Sequence, residues 1–235
     1  QALRPGWTAA RARCAEFNAA AEESGSPLRR GVGLASGWYG CGNTSLPNPS
    51  TIKAGIRADG SIVLHQGAVD IGQGSNTVIS QIFADALGVP VELVTRVGGD
   101  TDVTPDAGKT SASRQTFVSG NAAKRAGEAL RALLLRHGNV AEDAGIVLAD
   151  GRLALVDGGT RRALDLGGLP ADGDGYVFAA EGAYDPPTVA LDGNGQGSPY
   201  AQFGYAAHMV EAEVDLGLGI VRLVRIEAAH DVGRA

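Results

Sequence analysis

The amino-acid sequence predicts an α+β fold, in which mixed and antiparallel sheets pack with two or three helices. Two observations predict this class. Segments with the pattern of short strands outnumber segments with helical periodicity, and many neighbouring strands are separated only by hairpin-type turns. The chain has 235 residues, which is enough for one large domain or two small ones with a buried core.

The N-terminal part of the chain predicts one helix, one glycine-rich strand and one hairpin. Residues 7–23 are rich in alanine and contain few helix breakers, which favours a helix. Residues 30–38 alternate small and apolar side chains and indicate a glycine-rich strand. Residues 51–57 and 61–66 flank Ala58-Asp59-Gly60, a sequence typical of a β-hairpin turn. The Pro/Asn/Ser-rich residues 43–50 predict a loop.

Two further helices are predicted in the middle of the chain. Apolar residues recur with helical spacing over residues 75–87, and Gly88 is expected to stop that helix. Residues 91–97 predict a strand. A long helix is expected over residues 113–137, with Gly138 as its stop.

The C-terminal part predicts short strands and tight turns. Asp150-Gly151 and Asp157-Gly158 are expected to be turns between short strands. The stretch that follows, as far as Pro187, is rich in glycine, aspartate and proline, and no strand is assigned to it. Residues 209–215 and 220–228 are expected to pair as a closing hairpin.

Composition excludes several classes of protein. The net charge is −6 with a pI near 5.2, and the chain has no basic tract, which argues against nucleic-acid binding. No apolar run approaches the 18 residues of a transmembrane helix. The two cysteines lie far apart, so no zinc finger or four-cysteine iron–sulfur cluster is expected. Free thiols favour a reducing compartment; we expect the cytoplasm, with the periplasm as the alternative.

No metal site and no catalytic residue are predicted from the residues alone. The four histidines are scattered, without the HxH or HxxxH spacing of metal-binding pairs. No serine lies in a GxSxG motif, and a Walker A loop is excluded because the glycine that it needs is replaced by Val103.

Three short segments combine small residues with neutral hydrogen-bonding groups. Gly72-Gln73-Gly74 precedes the helix that begins at Ser75, where free backbone N–H groups form an anion site; an ordinary capped turn is the alternative. The second segment, Lys109–Gln115, offers hydroxyl and N–H groups of Thr110, Ser111 and Ser113 at the start of the longest helix, with ordinary capping as the alternative. Residues 193–198 form a glycine loop bearing Asn194 and Gln196. Together they suit an extended ligand with phosphates and a polar heterocycle.

The same segments carry a resemblance to a known family. The chain resembles the molybdenum-cofactor-binding large subunit of the xanthine dehydrogenase and aldehyde oxidase family, most closely the prokaryotic aldehyde oxidoreductases that use molybdopterin cytosine dinucleotide. The matching motifs follow the family order: Arg30-Gly31-Val32-Gly33, Tyr39-Gly40-Cys41-Gly42, Asp70-Ile71-Gly72-Gln73-Gly74, Thr110-Ser111-Ala112-Ser113-Arg114-Gln115, Gly120-Asn121, Gly195-Gln196-Gly197-Ser198-Pro199, Met209–Asp215 and Asp231-Val232-Gly233.

The resemblance implies roles for residues of all three segments. Gly72, Gln73 and Gly74 are expected to contact the pterin dinucleotide. The second segment is expected to hold its phosphate and pterin parts, and the third to contact the same cofactor. The residues concerned in these two segments are Thr110, Ser111, Ala112, Ser113, Arg114, Gly195, Gln196 and Gly197.

The resemblance also implies an organisation. Residues 1–30 are expected to form an N-terminal helix and linker, and residues 31–235 a molybdopterin-binding region. The family's glutamate base follows the Asp231-Val232-Gly233 strand by many residues. It is therefore expected outside this chain, which resembles an internal fragment of a longer subunit.

The implied activity is hydroxylation of an aldehyde or an N-heterocycle with oxygen from water. The implied partners are the other parts of the molybdenum subunit and an iron–sulfur subunit or domain with 2Fe-2S clusters, with FAD as a further option. The alternative is a non-catalytic isolated fragment or a nucleotide-binding module without activity of its own.

Overall fold

The structure, a computed structural model, describes residues 4–42, 47–149 and 152–233. It confirms the α+β class. The elements in chain order are α1 (Arg4–Glu23), β1 (Leu28–Gly40), β2 (Ser50–Ile56), β3 (Ile62–Gln66), α2 (Ser75–Leu87), a 3-10 helix (Val91–Leu93), β4 (Val94–Val97), α3 (Gln115–Gly138), β5 (Gly145–Ala149), β6 (Arg152–Asp157), β7 (Thr160–Ala163), β8 (Phe178–Tyr184), β9 (Phe203–Asp215) and β10 (Ile220–Asp231).

The chain divides into two compact units, one from residues 1–40 and 203–235 and the other from residues 41–202. No described helix is long and apolar enough to span a bilayer. The predicted functional boundary between residues 30 and 31 stays a prediction. The loop predicted at residues 43–50 lies partly, and the turn at Asp150-Gly151 wholly, outside the described residues.

The first unit is a three-stranded antiparallel sheet in the order β1-β9-β10, with α1 packed against it. The predicted closing hairpin is confirmed as β9 and β10. Polar contacts fix α1 to the sheet: the Asn18 amide donates to the Arg30 carbonyl oxygen at 2.9 Å and accepts from the Arg30 N–H at 2.7 Å. Arg13 lies 2.9 Å from the buried Glu211 carboxylate. The two Asn18 hydrogen bonds satisfy backbone groups at the free edge of β1.

The second unit has a four-stranded sheet in the order β4-β3-β2-β8, covered by α2 and α3. The predicted hairpin of β2 and β3 is confirmed, and β4 joins β3 in parallel. Ile52, Leu64, Phe83 and Leu130 are fully buried between these layers. They belong to a larger cluster of buried apolar residues, whose burial drives the folding of the unit. A Cβ at Gly127 would lie 2.7 Å from the Phe83 carbonyl oxygen, so glycine allows α3 to approach α2 closely.

Three predictions are corrected by the structure. The segment 91–97 begins with a 3-10 turn, so its strand is limited to Val94–Val97. The long helix begins at Gln115, because Ser113 has a φ of +53°, outside the helical region. It continues through Gly138 and ends at Asn139, which adopts the left-handed conformation. Strand β8 lies within the stretch to which no strand was assigned, where it pairs with β2.

Candidate functional site

The first predicted segment is organised around a carboxylate that the sequence did not single out. The Asp70 side chain accepts the backbone N–H groups of Gly72 at 2.9 Å, Gly74 at 3.3 Å and Asn76 at 3.0 Å. The bond from Asn76 caps the first turn of α2. These bonds, that from Asn76 first, hold the pKa of Asp70 below its usual value. Of the backbone donors at this helix end, the Asn76 N–H is therefore already bound to an internal anion.

Gln73 lies inside the same turn and is bound by its neighbours. Its amide donates to the Val69 carbonyl oxygen at 3.1 Å and to Ser75 Oγ at 3.2 Å, and its oxygen accepts the Ile71 N–H at 2.7 Å. Gly72 and Gly74 have φ of +108° and +82°, conformations that favour glycine. Nothing lies within 4 Å of the Cβ position at either glycine, so the turn itself requires glycine there.

The second segment contains two consecutive non-glycine residues in the left-handed region. Ala112 has a φ of +51° and Ser113 a φ of +53°. Such residues cost about 1–3 kcal/mol each and persist where the surroundings fix them. The Gly42 N–H donates to the Ala112 carbonyl oxygen at 2.8 Å, and the Arg114 N–H donates to that of Ser111 at 3.2 Å. The first turn of α3 has no side-chain cap from its N-cap residue.

The Arg114 side chain holds this segment by hydrogen bonds to backbone carbonyl oxygens. It is fully buried, and its guanidinium donates to the carbonyl oxygens of Asn48 at 2.8 Å, Pro49 at 2.8 Å and Lys109 at 3.0 Å, and also to that of Ala107. Burial lowers the pKa of Arg114 from its usual value. The side chain thus gathers backbone acceptors and places a positive charge under the segment.

Thr110 joins the first two segments. Its hydroxyl lies 3.1 Å from the Val69 nitrogen, whose N–H it accepts, and 3.2 Å from the Val69 carbonyl oxygen, to which it can donate. The Gln115 amide donates to Thr110 Oγ1 at 3.1 Å and to the Lys109 carbonyl oxygen at 3.2 Å. The structure therefore brings Gly72-Gln73-Gly74 and the second segment together through Val69.

The third predicted segment is a self-contained turn of the same unit. The Asp192 carboxylate accepts the N–H groups of Asn194 at 2.8 Å and Gln196 at 2.9 Å, and Gly195 has a φ of +75°. A Cβ at Gly197 would lie 2.6 Å from the Ala190 carbonyl oxygen. Over this described part of the chain, the loop's hydrogen bonds stay within residues 189–198. They do not join it to the other two segments.

Sequence reasoning missed Asp70 and Asp192 as the centres of their turns. Both accept the N–H groups of the second and fourth residues that follow them. Asp172 does the same with Asp174 and Tyr176, at 2.9 Å each. An aspartate followed by alternating glycines, as in Asp70-Ile71-Gly72-Gln73-Gly74, is the signal that predicts this arrangement.

Comparisons with known proteins support one family. The family model described as "Molybdopterin cofactor-binding domain" matches residues 2–235. The chain belongs to this family.

Among curated relatives, the domain is 33% identical over 220 residues to the putative xanthine dehydrogenase molybdenum-binding subunit XdhA of Escherichia coli K12; the match covers 88% of this chain and 27% of that protein. It is 28% identical over 234 residues to the aldehyde oxidoreductase of Megalodesulfovibrio gigas, over 98% of this chain and 23% of that protein. These findings confirm the resemblance to the xanthine dehydrogenase and aldehyde oxidase family. The cofactor-binding domain spans about a quarter of the length of these relatives.

Solved structures agree with the sequence matches. The aldehyde oxidoreductase from Desulfovibrio gigas superposes with a TM-score of 0.72 and 26% identity, covering 98% of this chain and 23% of that one. The CO dehydrogenase from Oligotropha carboxidovorans superposes with a TM-score of 0.74 at 21% identity, over 99% of this chain and 30% of that one. The latter comparison shows the shared fold.

Proposed function

We propose that the three segments of this cofactor-binding domain hold molybdopterin in its cytosine dinucleotide form. The observation that carries the proposal is the Thr110–Val69 contact, which links two of the predicted segments by hydrogen bonds at 3.1 and 3.2 Å. The proposed contact residues are Gly72, Gln73, Gly74, Thr110, Ser111, Ala112, Ser113, Arg114, Gly195, Gln196 and Gly197.

The donor chemistry of the second segment fits the anionic part of this ligand. Arg114 engages four backbone carbonyl oxygens, so acceptors of this region point inward. The left-handed Ser113 followed by the right-handed Arg114 is a backbone pattern typical of anion-binding concavities. We assign the dinucleotide phosphates to residues 110–114 at the start of α3, where the helix dipole adds to the Arg114 charge.

The chemistry of the first and third segments fits the uncharged parts of the ligand. Asp70 and Asp192 already accept the backbone N–H groups of their turns. A phosphate placed beside either carboxylate would meet like charge. Gln73 and Gln196 carry neutral amides; the Gln73 nitrogen donates both its hydrogens within the turn, and its oxygen, which accepts one N–H, offers a further acceptor position. We assign these two segments to the heterocyclic parts of the cofactor.

The full-length protein that contains this domain is proposed to oxidise aldehydes or N-heterocycles, with water as the source of oxygen. When bound, the cofactor supplies the two-electron redox chemistry at the substrate carbon. The residues of this chain bind and orient it, and the general base is assigned to residues outside this chain. The proposed partners are the remaining parts of the subunit and an iron–sulfur subunit or domain with 2Fe-2S clusters, with FAD on a partner as a further proposal.

The proposal is tested by replacing Gln73 in the full-length protein. Gln73→Ala should lower the molybdenum and CMP content per protein, because the further acceptor position of the Gln73 oxygen is lost. Gln73→Glu should lower both further, because the added charge lies beside Asp70 and would repel an anionic ligand. Molybdenum is measured by elemental analysis, and CMP by chromatography after acid release.

Gln81→Ala is the matched control, since Gln81 is exposed on α2. Its molybdenum and CMP content should equal the wild-type values. Wild-type content in both Gln73 variants would show that the first segment does not bind the cofactor. Loss of molybdenum with unchanged CMP would overturn the assignment of a cytosine dinucleotide.

A further inference from the structure

Two histidines that are far apart in sequence meet on the sheet of the first unit. His208 on β9 and His230 on β10 lie with their Nε2 atoms 3.0 Å apart and their ring centroids 5.0 Å apart. In the antiparallel register His208 is opposite Ala228, and Ala206 is opposite His230. The two histidines are therefore diagonal neighbours on one face of the sheet, within reach of each other's side chains.

The separation of the two nitrogens matches a bidentate site of defined geometry. Metal–nitrogen bonds to histidine are about 2.0–2.1 Å long, so two nitrogens 3.0 Å apart would subtend about 95° at a shared ion. Two nitrogens of a tetrahedral zinc site would be about 3.3–3.4 Å apart at the same bond length. An angle near 90° belongs instead to the tetragonal geometry of Cu(II) and Ni(II).

The surroundings leave room for the other ligands of an ion. Both histidines are exposed, and the residues opposite them on neighbouring strands are alanines: Ala35 and Ala228 beside His208, and Ala206 beside His230. His230 also lines an open cleft of about 400 Å³. Over the described part of the chain, no group of three or more metal-binding side chains occurs. The remaining positions around the ion would therefore be filled by water.

We propose that His208 and His230 form a surface site for a divalent transition-metal ion of the copper or nickel type. In the structure, one Nε2–H of the pair donates to the other Nε2. Metal binding needs both Nε2 lone pairs, so the imidazole that donates must change tautomer: its proton leaves Nε2 for solvent, and solvent returns a proton to Nδ1. Both neutral imidazoles then carry their single proton on Nδ1, and no proton is released overall. Neutral imidazole suits such ions, whereas Mg²⁺ and Ca²⁺ require oxygen ligands. The two histidines belong to the first unit, and the proposed cofactor segments belong to the second.

The experiment measures Cu(II) binding to the full-length protein by isothermal titration calorimetry and electron paramagnetic resonance. The wild-type protein should bind one Cu(II) per chain at this site. That binding should be impaired in His208→Asn and in His230→Asn. Each substitution should weaken this binding at least about tenfold, since a two-point ligand becomes a one-point ligand. Nitrogen hyperfine structure from two imidazoles should appear in the wild-type spectrum and from fewer in either variant. Ni(II) should bind the same site more weakly than Cu(II).

His137→Asn is the matched control, because His137 is also exposed but contacts the Phe178 ring, with centroids 5.2 Å apart. It should leave the Cu(II) titration unchanged. Equal binding in wild type and in the double variant His208→Asn/His230→Asn would overturn the proposal. So would Cu(II) binding that His137→Asn reduces as much as either variant, or the absence of Cu(II) binding by the wild-type protein.

Discussion

The segments around Asp70 and Arg114 are built with opposite polarity. Asp70 collects three backbone N–H groups around a carboxylate. Arg114 collects four backbone carbonyl oxygens around a guanidinium. Both segments precede a helix, and Thr110 fastens one to the other at Val69. Neighbouring turns of one unit thus use their polar groups in complementary ways.

This difference teaches that a glycine-rich turn before a helix is not by itself an anion site. At α2 the capping position is already taken by Asp70, whose negative charge complements the helix dipole. At α3 the N-cap residue provides no side-chain cap, and the charge beneath the turn is positive. The same local motif therefore favours different parts of a ligand in the two places.

The largest effect is expected from removing the Arg114 guanidinium. Arg114→Met keeps much of the side-chain volume but removes the donor of the Asn48, Pro49 and Ala107 carbonyl oxygens, while that of Lys109 keeps its bond from the Gln115 amide. The free energy of unfolding of this unit should fall by at least about 3 kcal/mol, because buried unpaired acceptors are costly. Native-state hydrogen exchange at α3 amides in the full-length protein measures the change.

Arg125→Met is the control for this substitution. Arg125 is an exposed residue that donates to the Ala183 carbonyl oxygen at 2.5 Å. Its replacement should cost less than about 1 kcal/mol. An equal loss of unfolding free energy in Arg114→Met and Arg125→Met would show that burial of the Arg114 guanidinium does not increase its contribution to stability.

A smaller effect is expected from removing the charge of the Asp70 carboxylate. Asp70→Asn replaces the charged carboxylate with a neutral amide. The N–H donors of that amide would then face backbone N–H donors. Hydrogen exchange at Gly72, Gly74 and Asn76 should become several-fold faster, and molybdenum content should fall. Asp172→Asn, in a turn of the same construction, should leave molybdenum content unchanged. Unaltered exchange at the three amides in Asp70→Asn would contradict the proposed role of the carboxylate.

Because the pKa of Asp70 is lowered, the stabilisation that its carboxylate gives to the turn depends on pH in a defined way. A carboxylate whose pKa is lower in the folded than in the unfolded state stabilises the fold above its unfolded value of about 3.9. The contribution is lost as pH falls through the folded pKa. The wild-type turn should therefore be insensitive to pH near neutrality and open only in acid, whereas Asp70→Asn should lack this transition. Amide chemical shifts of Gly72 and Gly74 report it.

The smallest effect on stability is expected at the contact between the two segments. Thr110→Val keeps the branched shape and removes the hydroxyl that bonds to Val69. Because Val69 is exposed, water can replace the hydroxyl, so the loss should be about 0.5–1.5 kcal/mol. Molybdenum content should nevertheless fall, since the two segments are no longer held together. Thr104→Val removes a hydroxyl that bonds within its own loop, to the Asp100 carbonyl oxygen, and should leave molybdenum content intact.

Much of the fold could be predicted because its signals are local. Helix α2 matches the prediction of residues 75–87 because its apolar spacing and the left-handed Gly88 define both ends. The two predicted hairpins are present because turn residues fix strand pairing over short distances. The predicted start of α3 is two residues early, since nothing in the sequence indicates left-handed Ala112 and Ser113; the carbonyl oxygen of Ala112 is held by the distant Gly42 N–H.

The three segments could be proposed from the sequence, whereas the hydrogen bonds within them could not, and their role as the cofactor site stays a prediction. The ordered motifs predicted the family and the three segments, and the family is confirmed. Their spacing could not show that Asp70 fills one helix end or that Arg114 is buried among carbonyl oxygens from residues more than sixty positions away. Likewise, the search for local histidine spacing missed His208 and His230, which only the pairing of β9 with β10 brings to 3.0 Å.

The sequence by itself determined the class of fold, most helices and hairpins, and the family, because periodicity, turn residues and ordered motifs act over short stretches of chain. Only the tertiary structure decided which polar groups remain free to meet a ligand. Whether a group is available depends on the partner that occupies it, and for Arg114 those partners include the carbonyl oxygens of Asn48 and Pro49, more than sixty positions away in the sequence.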